Sequence, residues 1–110
     1  MRRTWTIIGV ADVARSYHWY QSLFTDGTVL LCLHRWGDHE HPTLISPDRA
    51  EPGNGLLLFF RLDDFDEALS HARALVRQLE QEPQINSATG TREFALRDLD
   101  GYYVMVSALA

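Results

Sequence analysis

The segment Phe59–Phe65, with the sequence FFRLDDF, echoes the earlier segment Ile7–Val13, with the sequence IIGVADV, and the two stretches together decide the fold. Aligning them places Asp12 on Asp64. Each aspartate follows an apolar, strand-like run and precedes a helical pattern, which is the position of a helix N-cap. This repeat predicts two pseudo-symmetric modules, and a binding site is often built where two such modules face each other.

The second copy of the repeat continues into a complete module. Asp64 and Glu67 form the D-x-x-E pattern of a capping box, and apolar residues then follow at helical spacing as far as Leu79. Residues 92–97 and 102–107 read as strands, and the Asp100-Gly101 pair between them suits a tight hairpin turn. With a short strand near residues 84–86, the pattern predicts the order βαβββ.

The composition limits the classes of partner. The 110-residue chain carries a net charge of −5 and has no lysine, so the sequence predicts no nucleic-acid binding. Its apolar runs are too short to span a bilayer, and no secretory signal is visible, so we expect no membrane insertion. Cys32 is the single cysteine, which fits a reducing compartment, and we expect a cytoplasmic location.

Two motifs carry a family resemblance. The segment Arg92–Tyr103 (REFALRDLDGYY) resembles the hairpin F-x-x-x-D-P-D-G-N/Y, with Leu99 at the usual proline, and the segment Val10–Leu23 resembles V-x-D…S…F/W-Y-x-x-L. These are the signatures of the vicinal oxygen chelate superfamily, which contains glyoxalase I, extradiol dioxygenases, fosfomycin-resistance enzymes and bleomycin-resistance proteins. The sequence is therefore similar to that superfamily over nearly its whole length.

The resemblance implies an α+β fold, in which tandem βαβββ modules form a cupped mixed β-sheet with the helices outside. One domain would cover residues 1–110, with module 1 at about 1–45 and module 2 at about 54–110. The first module is expected to be one strand short, because only Thr25–Gly27 separates its helix from the next strand-like run. Small members commonly pair, so a homodimer is expected as well.

The resemblance also transfers four metal-ligand positions onto this chain. They fall on Trp5, Leu31, Leu57 and Met105, none of which offers the imidazole or carboxylate that a divalent cation prefers. We therefore expect no metal and no other cofactor. The segment His34–His41 is rich in histidine and acidic residues. A displaced metal site or a pH-sensitive lid is one interpretation of this segment, and a solvated polar loop is the one we prefer.

Alternation along the strands then predicts the lining of the cup, because residues of equal parity face the same side. The lining would be apolar and aromatic with two arginines, which suits a planar organic ligand that carries an anionic group. The predicted ligand-binding residues are Trp5, Ile7, Leu31, Leu33, Arg35, Leu57, Phe59, Arg61, Tyr103 and Met105.

These expectations lead to a first functional hypothesis: a small-molecule-binding protein without the usual metal site, which binds an aromatic or hydrophobic ligand as bleomycin-resistance proteins do. The alternative is an enzyme of the same superfamily, of lyase, isomerase or dioxygenase type, with a non-standard site. A third hypothesis is an interaction module whose cavity is filled by side chains. No catalytic residues are assigned, and we interpret Glu93 and Arg97 as a surface pair in the hairpin.

Overall fold

The computed structural model describes residues 6–24, 31–37, 44, 46–49 and 53–109. Within these residues the chain forms two α-helices, six strands and a short 3₁₀ helix at Pro47–Arg49. The elements in chain order are β1 (Ile7–Val10), α1 (Val13–Phe24), β2 (Cys32–Arg35), β3 (Leu58–Leu62), α2 (Phe65–Leu75), β4 (Gln81–Ile85), β5 (Arg92–Arg97) and β6 (Tyr103–Ala108).

Both predicted helix starts are confirmed. The Asp12 carboxylate accepts a hydrogen bond from the Arg15 amide at 3.0 Å. The Asp64 carboxylate accepts one from the Glu67 amide at 3.1 Å. In each case the side chain satisfies a backbone N–H that has no partner within the first helical turn.

The strands form two sheets, and each sheet contains one parallel pair of strands. In the second module the order is β3-β6-β5-β4, with β3 and β6 parallel and the other two pairs antiparallel. In the first module β1 and β2 are parallel neighbours, so they match β3 and β6. The α+β fold is confirmed. The sequence predicted that the first module lacks one strand, and the described residues of this module contain no counterpart of β4 or of β5.

The helices cover one face of the sheets, and the core lies between them. Helix α1 contributes Trp19 and Leu23, and helix α2 packs beside it, where the His71 imidazole lies 3.3 Å from the Leu23 carbonyl oxygen. The sheet residues in this core are Ile8, Val10, Leu58, Phe60, Phe94, Leu96, Val104 and Val106. Burial of these side chains is the main favourable contribution to folding. Neither described helix has the length and apolar character needed to cross a membrane.

Candidate functional site on the open face of the sheet

The hairpin loop between β5 and β6 joins the two modules through hydrogen bonds. The Asp100 carboxylate accepts from the Ala11 amide at 2.8 Å and from the Ser16 hydroxyl at 3.3 Å. The Asp98 carboxylate accepts from the Tyr20 hydroxyl at 2.7 Å. We call this set of contacts the junction. It joins the two signature motifs of the sequence. The hairpin loop of the C-terminal motif accepts hydrogen bonds from residues at the start of α1 and within it, which belong to the N-terminal motif.

Burial dominates the electrostatics of the junction. It raises the pKa of the Asp98 carboxyl, although hydrogen bonds from Tyr20 and from the Tyr102 and Asp100 amides oppose that rise. Burial, with the Asp98 carboxylate nearby, also raises the pKa of Tyr20. Tyr20 is therefore a neutral donor at all ordinary pH values, and its hydrogen bond to Asp98 is preserved.

Tyr102 extends the junction to β1. Its hydroxyl donates to the Gly9 carbonyl oxygen at 2.8 Å, and burial raises the pKa of Tyr102 to about 12. Gly9 is needed here because a Cβ at this position would lie 2.5 Å from the Trp36 indole ring. Gly53 has a positive φ of 76° and lies directly against the Tyr102 ring, where a side chain would collide with it. The junction therefore fixes the position of the first module against the second.

The face of the second sheet that lies away from the helices is the candidate site, and we call it the open face. Strand register places its side chains in rows across the sheet. The central row consists of Phe59, Met105, Ala95 and Gln81, each facing the next. On one side of this row, Tyr103 faces Arg97. On the other side lies a row of Arg61, Ser107, Glu93 and Gln84.

The apolar centre of the candidate site lies on and beside β3 and β6 and is accessible, whereas Ala95 on β5 of the same face is fully buried. Phe59 on β3 is 44% exposed, and Leu57 just before β3 is 49% exposed, although both are large apolar residues. Met105 and Tyr103 on β6 are half-buried beside them. Large exposed apolar side chains that lie next to one another mark an interaction surface more often than single ones do. The alternation of burial along β3 and along residues 103–106 of β6 matches the predicted parity.

Polar groups flank this apolar centre. Arg61 is exposed, and its guanidinium donates to the Leu109 carbonyl oxygen at 2.8 Å. The Arg97 guanidinium lies over the Tyr103 ring, 4.8 Å from its centre, and donates to the Glu80 carboxylate at 3.3 Å. Arg97 is therefore engaged by a carboxylate and an aromatic ring, whereas Arg61 contacts only a neutral backbone group among the described residues.

A buried polar cluster occupies the middle of the third row. Glu93 is only 5% exposed and accepts a hydrogen bond from the Asn86 side chain at 3.2 Å. The Thr91 and Ser107 hydroxyls lie 3.2 Å apart beside it. The interpretation of Glu93 and Arg97 as a surface pair is wrong. Glu93 points into this cluster, and the Arg97 ion pair is formed with Glu80.

The first-module residues that were predicted to line the cup do not all lie on one face of the sheet. Parallel register pairs Ile7 with Cys32, whereas Leu33 pairs with Ile8 and Arg35 with Val10. Leu33 and Arg35 therefore share the helix-covered face of Ile8 and Val10 rather than the face of Ile7, because paired residues of adjacent strands point to the same side. Placing Leu33 and Arg35 in the cup was wrong.

The remaining predicted positions fall as follows. Leu31 lies just before β2 and packs against the core, while Ile7 is exposed on β1. Trp5 lies outside the described residues, as does half of the segment His34–His41, of which residues 34–37 are described. The described part of the chain contains no group of three or more His, Cys, Asp or Glu side chains that could hold a metal ion.

The sequence reasoning missed several open-face residues, among them Gln81, Glu93 and Arg97. The register of the β5–β6 hairpin would have revealed these residues. In a hairpin, the turn fixes which residues of the two strands face each other. Applying parity to β5 as well as to β6 puts Arg97 opposite Tyr103 and Ala95 opposite Met105. Gln81 then follows from its pairing with Ala95, although a register shift within β4 hides this pairing from the sequence.

Solved structures similar to this one place it among known folds. A protein of unknown function from Agrobacterium tumefaciens str. C58 aligns over all of this chain and 95% of its own, with a TM-score of 0.73 and 19% identity. Lactoylglutathione lyase from Agrobacterium tumefaciens aligns over 98% of this chain and 93% of its own, with a TM-score of 0.66 and 17% identity.

A glyoxalase/bleomycin resistance protein from Catenulispora acidiphila DSM 44928 aligns over the full length of both chains, with a TM-score of 0.57 and 18% identity. The fold is vicinal-oxygen-chelate-like. No family model matches the sequence, and no curated protein matches it. At these identities the similarity concerns the fold, since one fold supports several functions.

Proposed function

We propose that this protein binds a small aromatic or hydrophobic organic molecule on the open face, without a metal ion at the superfamily's usual position. The observation that carries the proposal is the accessible apolar centre formed by Leu57, Phe59, Tyr103 and Met105. Aromatic and thioether side chains there offer stacking and polarizable contacts to a planar ligand. The vicinal-oxygen-chelate-like fold supports the proposal, because its cupped sheet presents this face.

Arg61 gives the proposed site a preference for anions. It adjoins the apolar centre on β3, and its guanidinium contacts a neutral carbonyl group and no carboxylate among the described residues. Arginine pairs well with carboxylate and sulfonate groups through charge-assisted hydrogen bonds. An aromatic ligand with one acidic group could therefore rest its ring on Phe59 and direct the acid toward Arg61. Arg35 has no part in this proposal, because it lies on the helix-covered face.

A fluorescence titration with two related probes tests this arrangement. The probes are 8-anilinonaphthalene-1-sulfonate and its uncharged parent, N-phenyl-1-naphthylamine, which differ only in the sulfonate. We expect Arg61→Ala to weaken binding of the sulfonate by ~1.5–3 kcal/mol, the range for a hydrogen bond to a charged group. Affinity for the uncharged parent should not change.

Arg77→Ala is the matched control, because Arg77 is exposed beyond α2 and its loss removes the same charge. If both variants weaken binding of the sulfonate equally, the net charge of the protein accounts for the effect and Arg61 is not part of the site. Failure of both probes to bind the folded wild-type protein would contradict the binding function and favour the interaction-module hypothesis.

The alternative function, an enzyme of the same superfamily, requires an acid or base that can reach the ligand. Glu93 is the carboxylate that the described rows place on the open face, yet it is almost fully buried and accepts a hydrogen bond from Asn86. Such a group is better suited to holding the hairpin than to exchanging protons with a ligand. We therefore place binding ahead of catalysis.

We also propose that the protein acts as a cytoplasmic homodimer. Among the described residues the first sheet consists of β1 and β2. Such a small sheet leaves edges to be covered, and an uncovered edge invites pairing with another chain. In the described residues, β3 and β4 are the outer strands of the second sheet. Light scattering at micromolar concentration should give twice the monomer mass, and a monomer would contradict this part of the proposal.

A further inference from the structure

Gln81 carries a polar group that has no hydrogen-bond partner among the residues that the structure describes. Its side-chain Nε2 is buried and donates a hydrogen bond to no group in the described part of the chain. Leaving a buried N–H unsatisfied is costly, and native proteins rarely do so without a reason. Its neighbour across the strand, Ala95, offers only a methyl group and cannot satisfy the amide.

The position of Gln81 suggests what the missing partner is. Gln81 ends the central row of the open face, in line with Ala95, Met105 and Phe59. Its side chain as a whole is half-buried, so a rotation is enough to turn the amide toward a molecule on that row. A ligand that rests on Met105 and Phe59 would extend directly toward it.

We propose that Gln81 is a specificity-determining hydrogen-bond donor for the ligand. The ligand would then be a planar molecule with two polar ends: an anionic group near Arg61 on β3 and a neutral acceptor, such as a carbonyl oxygen, near Gln81 on β4. The two strands are three spacings apart, or about 14 Å. Arginine and glutamine side chains are long enough to span part of this distance, so a two-ring aromatic body suits the gap. This inference rests on the proposed function.

A matched pair of ligands tests the donor. The probes are 6-acetyl-2-naphthoate and 6-isopropyl-2-naphthoate, which have nearly the same shape, but only the first carries a carbonyl acceptor opposite its carboxylate. Calorimetric titration of the wild-type protein should show about five- to tenfold tighter binding of the acetyl compound, the effect of one satisfied hydrogen bond.

Gln81→Met keeps the length of the side chain and removes the amide. We expect it to abolish the preference for the acetyl compound and to leave affinity for the isopropyl compound unchanged. Its thermal stability should equal or exceed that of the wild type, because the variant removes a buried unsatisfied donor. Gln78→Met is the control, since Gln78 is exposed in the segment that follows α2 and lies outside the rows of the open face, and it should retain the preference. Gln81→Leu serves as a second variant if the methionine disturbs folding.

The outcomes separate this inference from the proposed function. If both naphthoates bind with equal affinity to the wild type, or if Gln81→Met retains the preference, Gln81 does not select the ligand, while binding on the open face stands. If neither naphthoate nor N-phenyl-1-naphthylamine binds the folded protein, the proposed function fails and this inference fails with it.

Discussion

Asp98→Ala is expected to destabilise the protein by about 3–5 kcal/mol, more than any other single substitution that we consider. One carboxylate oxygen of Asp98 accepts from the Asp100 amide at 2.9 Å and from the Tyr102 amide at 2.8 Å. The other oxygen accepts from Tyr20. Alanine would leave all three donors without a partner, and each buried unsatisfied donor costs roughly 1–3 kcal/mol. Urea denaturation followed by circular dichroism measures the loss.

Asp98→Asn and Tyr20→Phe are the matched controls. Asparagine retains an oxygen that can accept from both amides, so its cost should be only about 1 kcal/mol. Tyr20→Phe keeps the ring against Phe60 and removes one hydroxyl, with a similar expected cost. If Asp98→Ala were no more costly than these two variants, the junction would not hold the modules together.

The stability of the junction should also depend on pH in a defined direction. Burial raises the pKa of Asp98 above its ordinary value of 3.8, so the folded protein binds this proton more tightly than the unfolded chain does. The resulting stabilisation is present below that ordinary value and is lost as the pH rises through the folded-state pKa. The wild type should therefore lose stability relative to Asp98→Asn as the pH rises through this window. A constant difference would contradict the raised pKa.

The second large effect concerns binding. Phe59→Ala is expected to weaken binding of N-phenyl-1-naphthylamine by about 1–2 kcal/mol. The substitution removes apolar contact area and an aromatic partner from the centre of the open face. Phe59 is already 44% exposed, so the free energy of unfolding should fall by much less than for a buried phenylalanine. Fluorescence titration and urea denaturation of the same variant separate the two effects.

Ile85→Ala is the control for this prediction. Ile85 is 68% exposed on the same sheet, and it pairs with Arg92, whose guanidinium lies over the Phe65 ring of α2. It therefore lies on the helix-covered side of the sheet. Its loss should leave probe affinity unchanged. Equal weakening by the two variants would mean that the probe binds exposed apolar groups without regard to face.

Much of the second module could be predicted from the sequence because its signals are local. Period-two alternation in β3 and β6 placed Phe59, Arg61, Tyr103 and Met105 on one face, and the capping pattern at Asp64 fixed the start of α2. These signals depend on residues that are close in the chain. They can be read without knowing any long-range contact.

The first module could not be predicted in the same way, because its parallel register depends on pairing between distant strands. The expected lining treated Ile7 and Leu33 as one set, whereas the structure pairs Ile7 with Cys32. A slip of one residue moves every side chain of a strand to the other face. No tight turn joins β1 to β2, so the local sequence does not specify their offset.

The hydrogen bonds of the junction could not be predicted from the sequence for a similar reason. Asp12, Ser16, Asp98 and Asp100 were all recognised as parts of sequence motifs, yet nothing in either motif reveals that the Ser16 hydroxyl donates to Asp100 across 84 positions of the chain. Only the packing of α1 against the hairpin loop brings these groups together. The unsatisfied amide of Gln81 could not be predicted from the sequence either. It depends on whether residues on neighbouring strands provide a hydrogen-bond acceptor.

The central claim is that a small aromatic ligand binds on the open face of the second sheet. The most direct test is a ¹H–¹⁵N NMR titration of the labelled protein with N-phenyl-1-naphthylamine. We predict saturable shifts of the amides around Phe59, Tyr103 and Met105, with little change along α1 and α2. Shifts confined to the helices, or the absence of saturable shifts in a well-folded protein, would contradict the claim.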